Sequence, residues 1–388
     1  MRVAHFIPGL LSGGAEAMLV KVVLRARRFG VEPVVISLLK GGLQTDRLKA
    51  AGVELVELGQ RRDWSGIFAL PMILMQGRQV RADIFQGWMY HGNVMASLAR
   101  MASSAPIPVL WNVRQTLAKR SDEILRTRAV IRFSEFFAQA PQAIIYNAAR
   151  AASDHERLVG YPASRSVIIG NGFDCDEFRP NPAARAEMRQ RWGVGQETVL
   201  VGRVARWHAM KDTPTLLDAF GRLAESDPRL TLALVGRGMD QTNAELAGLV
   251  VRHSLKGRVL LCGEQPDMPR VTSAFDVAVS SSSHGEAFPN VLGEAMASGI
   301  PAVATDVGAS AEILGDANRV AIPADPTSLA RALSRVLALS PDERAALGAS
   351  DRERVRKCFS LDAITESYVR LWRGALAPGG VRSLSGTA

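Results

Sequence analysis

Cysteine is scarce in this 388-residue chain. Its three cysteines, Cys175, Cys262 and Cys358, are widely scattered and do not have the spacing of a metal site. This scarcity excludes a small secreted scaffold held together by disulfides, and it predicts reduced thiols in a cytoplasmic protein.

Long apolar runs are missing as well. No stretch approaches the roughly 20 apolar residues that a membrane-spanning helix needs. Near the start, His5, Pro8 and Gly13 interrupt the apolar run that a signal peptide would require. We therefore expect a cytoplasmic location. With 47% hydrophobic residues, the chain is typical of a globular α/β protein long enough for two domains.

Acidic residues are few in the N-terminal half. Residues 1–168 carry 22 Lys and Arg against 12 Asp and Glu, whereas the remainder carries 25 against 26. A basic half attracts an anionic surface or substrate, although charge that serves only solubility explains the same excess.

The stretch from Arg114 to Ala140 mixes cations with apolar residues. An ordinary helix that packs its apolar face on a sheet explains the apolar residues slightly better than a membrane surface does. The basic excess favours an anionic membrane or an acidic acceptor. The cations are Lys119, Arg120, Arg126, Arg128 and Arg132.

Short apolar runs alternate with helical patterns along the chain. Runs at residues 3–8, 33–39 and 83–88 are each followed by an amphipathic segment, and the pattern resumes at 198–204. This alternation predicts parallel, doubly wound sheets, in which ligands bind at the carboxyl ends of the strands. Turn residues at 170–174 indicate a domain boundary near residue 170.

The stretch 280–305 has the strongest functional signal. It follows an apolar run at 275–280 that indicates a buried strand, and a helical pattern occupies 290–298. Amides at the start of such a helix can bind an anion. They belong to Phe288, Asn290 and Val291.

Two glutamates flank this anion site. Glu286 precedes it, and Glu294 lies about two helical turns further on. A phosphate between two carboxylates that can hold hydroxyl groups describes a sugar nucleotide. By itself an acidic pair at this spacing arises by chance, with Glu286 capping the helix and Glu294 on its solvated face.

The sequence around these glutamates, FPNVLGEAMASGIPAVAT, closely resembles the donor-site motif of the retaining glycosyltransferases of family 4, which have the GT-B fold. Arg206 and Lys211 are similar to that family's Arg and Lys pair, and residues 170–174 resemble its interdomain segment. Three residues depart from the family pattern: Ala205 and Ala287, where glycine is common, and Gly170, where proline is usual.

The resemblance implies an α/β protein with two Rossmann-like doubly wound domains that face each other across a cleft. It places the acceptor-side domain at 1–169 and the donor domain at 170–358. A C-terminal helix at 359–374 crosses back to the first domain, and a tail at 375–388 is expected to be disordered.

The resemblance also implies a role for each site residue. Arg206 and Lys211 grip the donor diphosphate, and Glu294 binds the ribose. Glu286 holds the donor sugar, and His91 lies near the reaction centre unless it is only a turn residue. Further contacts with the donor nucleotide come from Gly14, Gly263, Phe288, Asn290 and Val291. No metal or cofactor is expected, because cations and amides stabilise the leaving charge.

The implied reaction moves a sugar, with retention, from a UDP- or GDP-linked donor to a glycan or a polyprenyl-diphosphate-linked acceptor. This chemistry belongs to cell-surface polysaccharide or glycolipid synthesis. A second expected partner is the anionic inner face of the cytoplasmic membrane, and nucleic acid is not expected. The sequence leaves three alternatives open: a sugar-nucleotide epimerase, a phosphorylase, or a non-catalytic partner subunit with the same fold.

Overall fold

A computed structural model describes residues 1–11, 13–60, 70–117 and 124–378. By their contacts they form two compact units. The first contains the chain up to Gly172 and again from Leu361 onward, and the second runs from Phe173 to Ser360.

In its described residues, the first unit is built on seven strands. They are β1 (Arg2–Ile7), β2 (Glu32–Leu39), β3 (Glu54–Gln60), β4 (Ile84–Gly87), β5 (Val109–Val113), β6 (Ala143–Tyr146) and β7 (Ser166–Ile168). All pair in parallel in the order β3-β2-β1-β4-β5-β6-β7. The helices between them are α1 (Gly14–Ala26), α2 (Leu43–Ala50), α3 (Leu70–Gln79), α4 (Met89–Ala102), α5 (Leu125–Glu135) and α6 (Ala149–Val159).

The second unit has a parallel sheet of six strands. They are β8 (Val199–Val204), β9 (Leu230–Val235), β10 (Val259–Gly263), β11 (Val277–Ser280), β12 (Ala302–Thr305) and β13 (Val320–Ala321), in the order β10-β9-β8-β11-β12-β13. Its helices are α7 (Pro182–Arg191), α8 (Thr213–Ala224), α9 (Ala244–Arg252), α10 (Met268–Ser273), α11 (Asn290–Ala297), α12 (Ser310–Leu314), α13 (Pro326–Leu337) and α14 (Pro341–Cys358).

The central strands of both sheets are apolar and buried, because helices cover both faces of a doubly wound sheet. In β6 and β11 every residue is buried. Val201 of β8 packs with Leu217 of α8 on one face, and Leu200 packs with Phe275 on the other. Each sheet therefore has its own core, as the alternating sequence pattern predicts.

The last helix, α15 (Leu361–Leu376), belongs to the first unit. Trp372 and Tyr368 are fully buried in that unit's core. The Tyr368 hydroxyl accepts hydrogen bonds from Arg114 at 2.7 Å and from Asn112 at 2.8 Å. The helix continues two residues into the segment predicted to be a disordered tail, and the end of that segment, 379–388, lies outside the described residues.

Helix α5 does not pack its apolar residues as expected of an ordinary amphipathic helix. Ile131 is buried, but Phe136 is 79% exposed and Leu125 is 68% exposed. Ile124 and Phe133 are exposed too. Lys119 and Arg120 lie outside the described residues. None of the helices in the described part of the chain is both long and apolar enough to cross a membrane.

Candidate functional site

The candidate site follows from the strand order of the second unit. Between β8 and β11 the order of the sheet reverses, because β9 and β10 lie on one side of β8 and β12 and β13 lie beyond β11. Loops that leave the carboxyl ends of two such strands diverge and open a crevice for a ligand. The loop after β8 carries Arg206 and Lys211, and the loop after β11 carries Glu286.

The two loops meet through an ion pair. Lys211 Nζ contacts Glu286 Oε1, and the same oxygen accepts a hydrogen bond from Ser282 Oγ at 3.1 Å. The side chains of Lys211 and Glu286 are 21% and 15% exposed. The structure thus brings together a cation and a carboxylate that lie 75 positions apart in the sequence. Glu286 does not cap α11, which removes the simpler interpretation of this residue.

Hydrogen bonds from β8 and from the residue after β11 fix the backbone at Lys211. Its carbonyl oxygen accepts hydrogen bonds from Arg203 of β8 and from Ser281 Oγ at 2.9 Å. The next residue, Asp212, has a left-handed backbone (φ 46°) and caps α8 by accepting from the Thr215 amide. A non-glycine residue in this conformation is strained, and such strain persists only where the surroundings fix it. Lys211 is therefore presented on a rigid turn.

The loop that carries Glu286 rests on the turn after β12. The Ala309 amide donates to the Ala287 carbonyl at 2.9 Å. Gly308 has φ 62°, and a Cβ added there would lie 2.4 Å from the Ala287 oxygen and 2.5 Å from the Glu286 oxygen. Any larger residue at position 308 would displace the loop, so this glycine is part of the support for Glu286.

Helix α11 begins at Asn290, with Pro289 in the N-cap position, and it ends at Ala297, one residue before the predicted end. Phe288 is buried between the rings of Phe173 and Phe359, so its side chain anchors the loop and only its backbone remains for a ligand.

Glu294, in the second turn of α11, is partly buried. It borders a cavity of about 10 Å³ beside Phe275 and Val204, which is room for at most one water. Val291 lines the same cavity. Glu294 therefore lies close to the end of β8, where the loop that carries Arg206 begins.

Arg206 and Gly263 lie on the same edge of the sheet. Arg206 is exposed, and the amide of its neighbour Trp207 donates to the Arg237 carbonyl at 2.8 Å. Gly263 ends β10 and is buried, and its carbonyl accepts from the Gly236 amide at 2.8 Å. Among the described residues, no hydrogen bond or ion pair joins Arg206 to Lys211 or to Glu286.

Gly14 and His91 lie in the first unit, at the corresponding reversal between β1 and β4. Gly14 is the first residue of α1 and is exposed, with open space around its missing Cβ. His91 is in the first turn of α4 and half-buried, and burial lowers its pKa below the usual value. This shift favours the neutral imidazole, in which one ring nitrogen donates a hydrogen bond and the other accepts one.

Two residues of the site were not predicted from sequence: Arg203 and Ser282. An arginine in the buried strand β8 was a visible signal, because a buried cation needs partners. Ser282 stands in a run of serines and had no distinguishing mark. No group of three His, Cys, Asp or Glu side chains that could hold a metal ion occurs in the described ranges.

Comparison with known families covers most of the chain. Residues 12–177 match the family described as Glycosyltransferase Family 4, and residues 195–338 match Glycosyl transferases group 1. The chain belongs to these glycosyltransferase families. The predicted membership of family 4 is thereby confirmed.

Curated relatives of this glycosyltransferase-family protein are themselves named as glycosyltransferases. It is 31% identical over 288 residues to a D-inositol 3-phosphate glycosyltransferase of Saccharomonospora viridis, a match over 69% of this chain and 65% of that protein. It is 28% identical over 254 residues to the lipopolysaccharide core biosynthesis mannosyltransferase LpsB of Rhizobium meliloti, over 62% and 69%. A third relative, the putative glycosyltransferase EpsF of Bacillus subtilis, is matched over only 36% of its own length.

Solved structures show the same fold. Anabaena Alr3699/HepE in complex with UDP superposes with a TM-score of 0.81 at 20% identity, covering 95% of this chain and 99% of that one. WaaG, a glycosyltransferase involved in lipopolysaccharide biosynthesis, gives 0.70 at 17% identity, over 96% and 100%. The predicted α/β GT-B class, with two Rossmann-like doubly wound domains, is confirmed.

Proposed function

We propose that this protein is a retaining glycosyltransferase that moves a hexose or related sugar from a nucleoside diphosphate sugar to a glycan or lipid-linked acceptor. The observation that carries the proposal is the contact between Lys211 and Glu286 at the strand-order reversal of the second unit. It sets a cation suited to phosphate beside a carboxylate suited to sugar hydroxyls.

Each predicted residue has a role in this proposal. Arg206 and Lys211 neutralise the diphosphate and stabilise it as the leaving group, helped by the helix amides at Asn290 and Val291. Glu286 holds hydroxyl groups of the transferred sugar, and Glu294 holds the ribose. For His91 and Gly14, which belong to the first unit, the roles that the resemblance implies toward the sugar and the phosphates stay predictions. Gly263 and the backbone of Phe288 border the nucleotide.

Two donors are the first to test. HepE of the structural comparison was solved with UDP-glucose, and a Mycobacterium tuberculosis relative is named a GDP-mannose-dependent mannosyltransferase. A thermal-shift screen with UDP, GDP and their sugar derivatives would identify the base, since a bound ligand raises the melting temperature by mass action.

The activity itself is tested by incubating the protein with the donor so identified and a lipid-linked acceptor extract. We expect release of the nucleoside diphosphate and a product in which the anomeric configuration is retained, assigned by NMR. Lys211→Ala should abolish most of the transfer, and Lys256→Ala, at an exposed lysine of the same unit, should not. Donor interconversion or phosphorolysis without transfer would support an epimerase or a phosphorylase instead. Donor binding without any turnover would support a partner subunit.

The acceptor side of the proposal includes an anionic membrane face. Helix α5 exposes Arg126, Arg128 and Arg132 together with Leu125, and Phe136, directly after its last residue, is exposed as well. Cations beside exposed apolar groups match a surface of acidic headgroups above acyl chains. We propose that this helix binds the membrane peripherally, near a polyprenyl-diphosphate-linked acceptor.

Liposome sedimentation tests this part. The wild-type protein should bind anionic vesicles at low salt and dissociate at high salt, because each Lys or Arg contributes only about 1 kcal/mol before screening. Replacing Arg126 and Arg128 by Gln, together with Lys119 and Arg120, should reduce binding and leave donor affinity unchanged. The matched control replaces Arg191 and Arg252, exposed in the second unit. Wild-type protein that ignores anionic vesicles at low salt would contradict the membrane role.

A further inference from the structure

Arg203 occupies an unusual place for a charged residue. It lies in β8, on the same strand face as Val199 and Val201, which belong to the apolar core. Only 2% of the residue is exposed. Burial lowers the pKa of its guanidinium to about 10, so the group remains charged at neutral pH. A buried charge that is kept must be supported by its surroundings.

The support comes from neutral acceptors. Arg203 Nη1 donates to the Thr213 hydroxyl at 3.1 Å, and Nη2 donates to the Lys211 carbonyl. Among the described residues, no carboxylate lies within ion-pair distance of this guanidinium. Asp212 and Glu286 favour its charged form only from a greater distance. Its positive charge is therefore not neutralised by a direct ion pair.

Three sources of positive potential thus surround one turn, residues 209–212. The first is the buried guanidinium of Arg203, the second is the Lys211 ammonium, and the third is the N-terminus of α8, which begins at Thr213. Asp212 and Glu286 oppose them. A diphosphate carries about two to three negative charges, and a preorganised cationic turn stabilises such a group without rearranging when it binds.

We propose that Arg203 is a positioning residue for the donor diphosphate, which fixes the Lys211 turn by its hydrogen bonds and adds a buried positive charge beneath it. The inference rests on the proposed function, since it takes the nucleoside diphosphate as the ligand. It extends the site beyond Arg206 and Lys211 to a third cation that does not itself touch the ligand.

The test is calorimetric titration of UDP, GDP and the nucleosides uridine and guanosine into wild type and variants. Arg203→Gln should weaken binding of the diphosphate that wild type prefers by about 10- to 100-fold, as expected for the loss of a charge-assisted interaction. Binding of the nucleoside should change little. Arg203→Lys keeps the charge but cannot reach both acceptors, so it should retain part of the affinity for the diphosphate. Its loss of affinity relative to wild type should be smaller at low salt than at high salt.

The matched control is Arg189→Gln. Arg189 is also buried, but it pairs with Asp276 and donates to the Thr198 carbonyl, at the amino ends of β8 and β11 on the opposite edge of the sheet. It should lower the melting temperature and leave the diphosphate affinity within about twofold.

Diphosphate affinity in the Arg203→Lys and Arg203→Gln variants equal to wild type would overturn the inference. An equal loss of nucleoside and diphosphate affinity, or the same loss in the Arg189 control, would overturn it too, because both indicate general destabilisation. Wild-type protein that binds neither UDP nor GDP would instead refute the proposed function on which the inference rests.

Discussion

Replacing Glu286 by Gln should strengthen the binding of the free nucleoside diphosphate while it slows transfer. In the structure the Lys211 ammonium is in contact with the Glu286 carboxylate, so a phosphate that binds Lys211 must compete with that carboxylate. The variant removes the competing charge and keeps a side chain of the same size, which can still accept from Ser282.

The size of the effect follows from electrostatics. Two negative charges about 6 Å apart repel each other by about 3 kcal/mol at an effective dielectric constant of about 20. The carboxylate is 15% exposed and borders the crevice between the loops after β8 and β11, so water and salt in that crevice reduce this repulsion to about 1 kcal/mol. Affinity for UDP or GDP should therefore rise about fivefold.

Two assays separate the consequences. Calorimetric titration of the diphosphate, at low and high salt, should show the gain in affinity and its decrease with ionic strength. Initial rates with the intact sugar nucleotide should show a lower kcat, because the variant holds the sugar hydroxyls less well. Diphosphate affinity that falls or stays the same in Glu286→Gln would refute the argument that Glu286 and the phosphate compete for Lys211.

Three more outcomes are expected. Arg206→Ala should weaken the diphosphate by about 10- to 100-fold in the same titration and leave the melting temperature unchanged, because the side chain is exposed; a lower melting temperature with full affinity would contradict this. Glu294→Ala should raise the donor KM with little change in kcat, through lost ribose contacts; a fall in kcat alone would mean that the roles of Glu294 and Glu286 are exchanged. The free energy of unfolding should fall as the pH drops below about 6.5, because the unfolded chain then takes up a proton that buried His5, whose pKa burial lowers to about 3, does not. This contribution is at most about 1.4 kcal/mol per pH unit, and urea titrations at pH 7.5 and 5 should show a smaller difference for His5→Asn than for wild type; equal differences would exclude His5 as the source.

The sequence alone was sufficient for the class of fold and for a choice of candidate site residues. Strands of apolar residues and amphipathic helices alternate because parallel sheets are buried on both faces, and this periodicity is local. The turn after β8 and the loop after β11 also have local signatures, since anion-binding helix starts need particular residues at short spacing. These signatures mark where an anion could bind, whereas Arg206, Lys211, Glu286 and Glu294 were selected because the sequence around them resembles the motifs of family 4.

The tertiary structure decided which of these residues meet. Lys211 and Glu286 are in contact because β11 pairs with β8, although β9 and β10 come between them in the sequence. Strand order depends on long-range packing, which no local pattern specifies. Arg203 stands in a strand whose sequence already predicts burial, but only the fold shows that its partners are Thr213 and the Lys211 carbonyl.

The tertiary structure also decided which apolar side chains are exposed. The apolar residues of α5 have a helical pattern that suits either a protein core or a membrane surface, since both are apolar surroundings. Only the fold shows that Ile131 is covered while Leu125 and Phe136 remain exposed. Likewise, the amphipathic pattern of α15 predicts a packed helix, but the partners that bury Tyr368, namely Arg114 and Asn112, lie about 250 positions away and are brought there by the sheet.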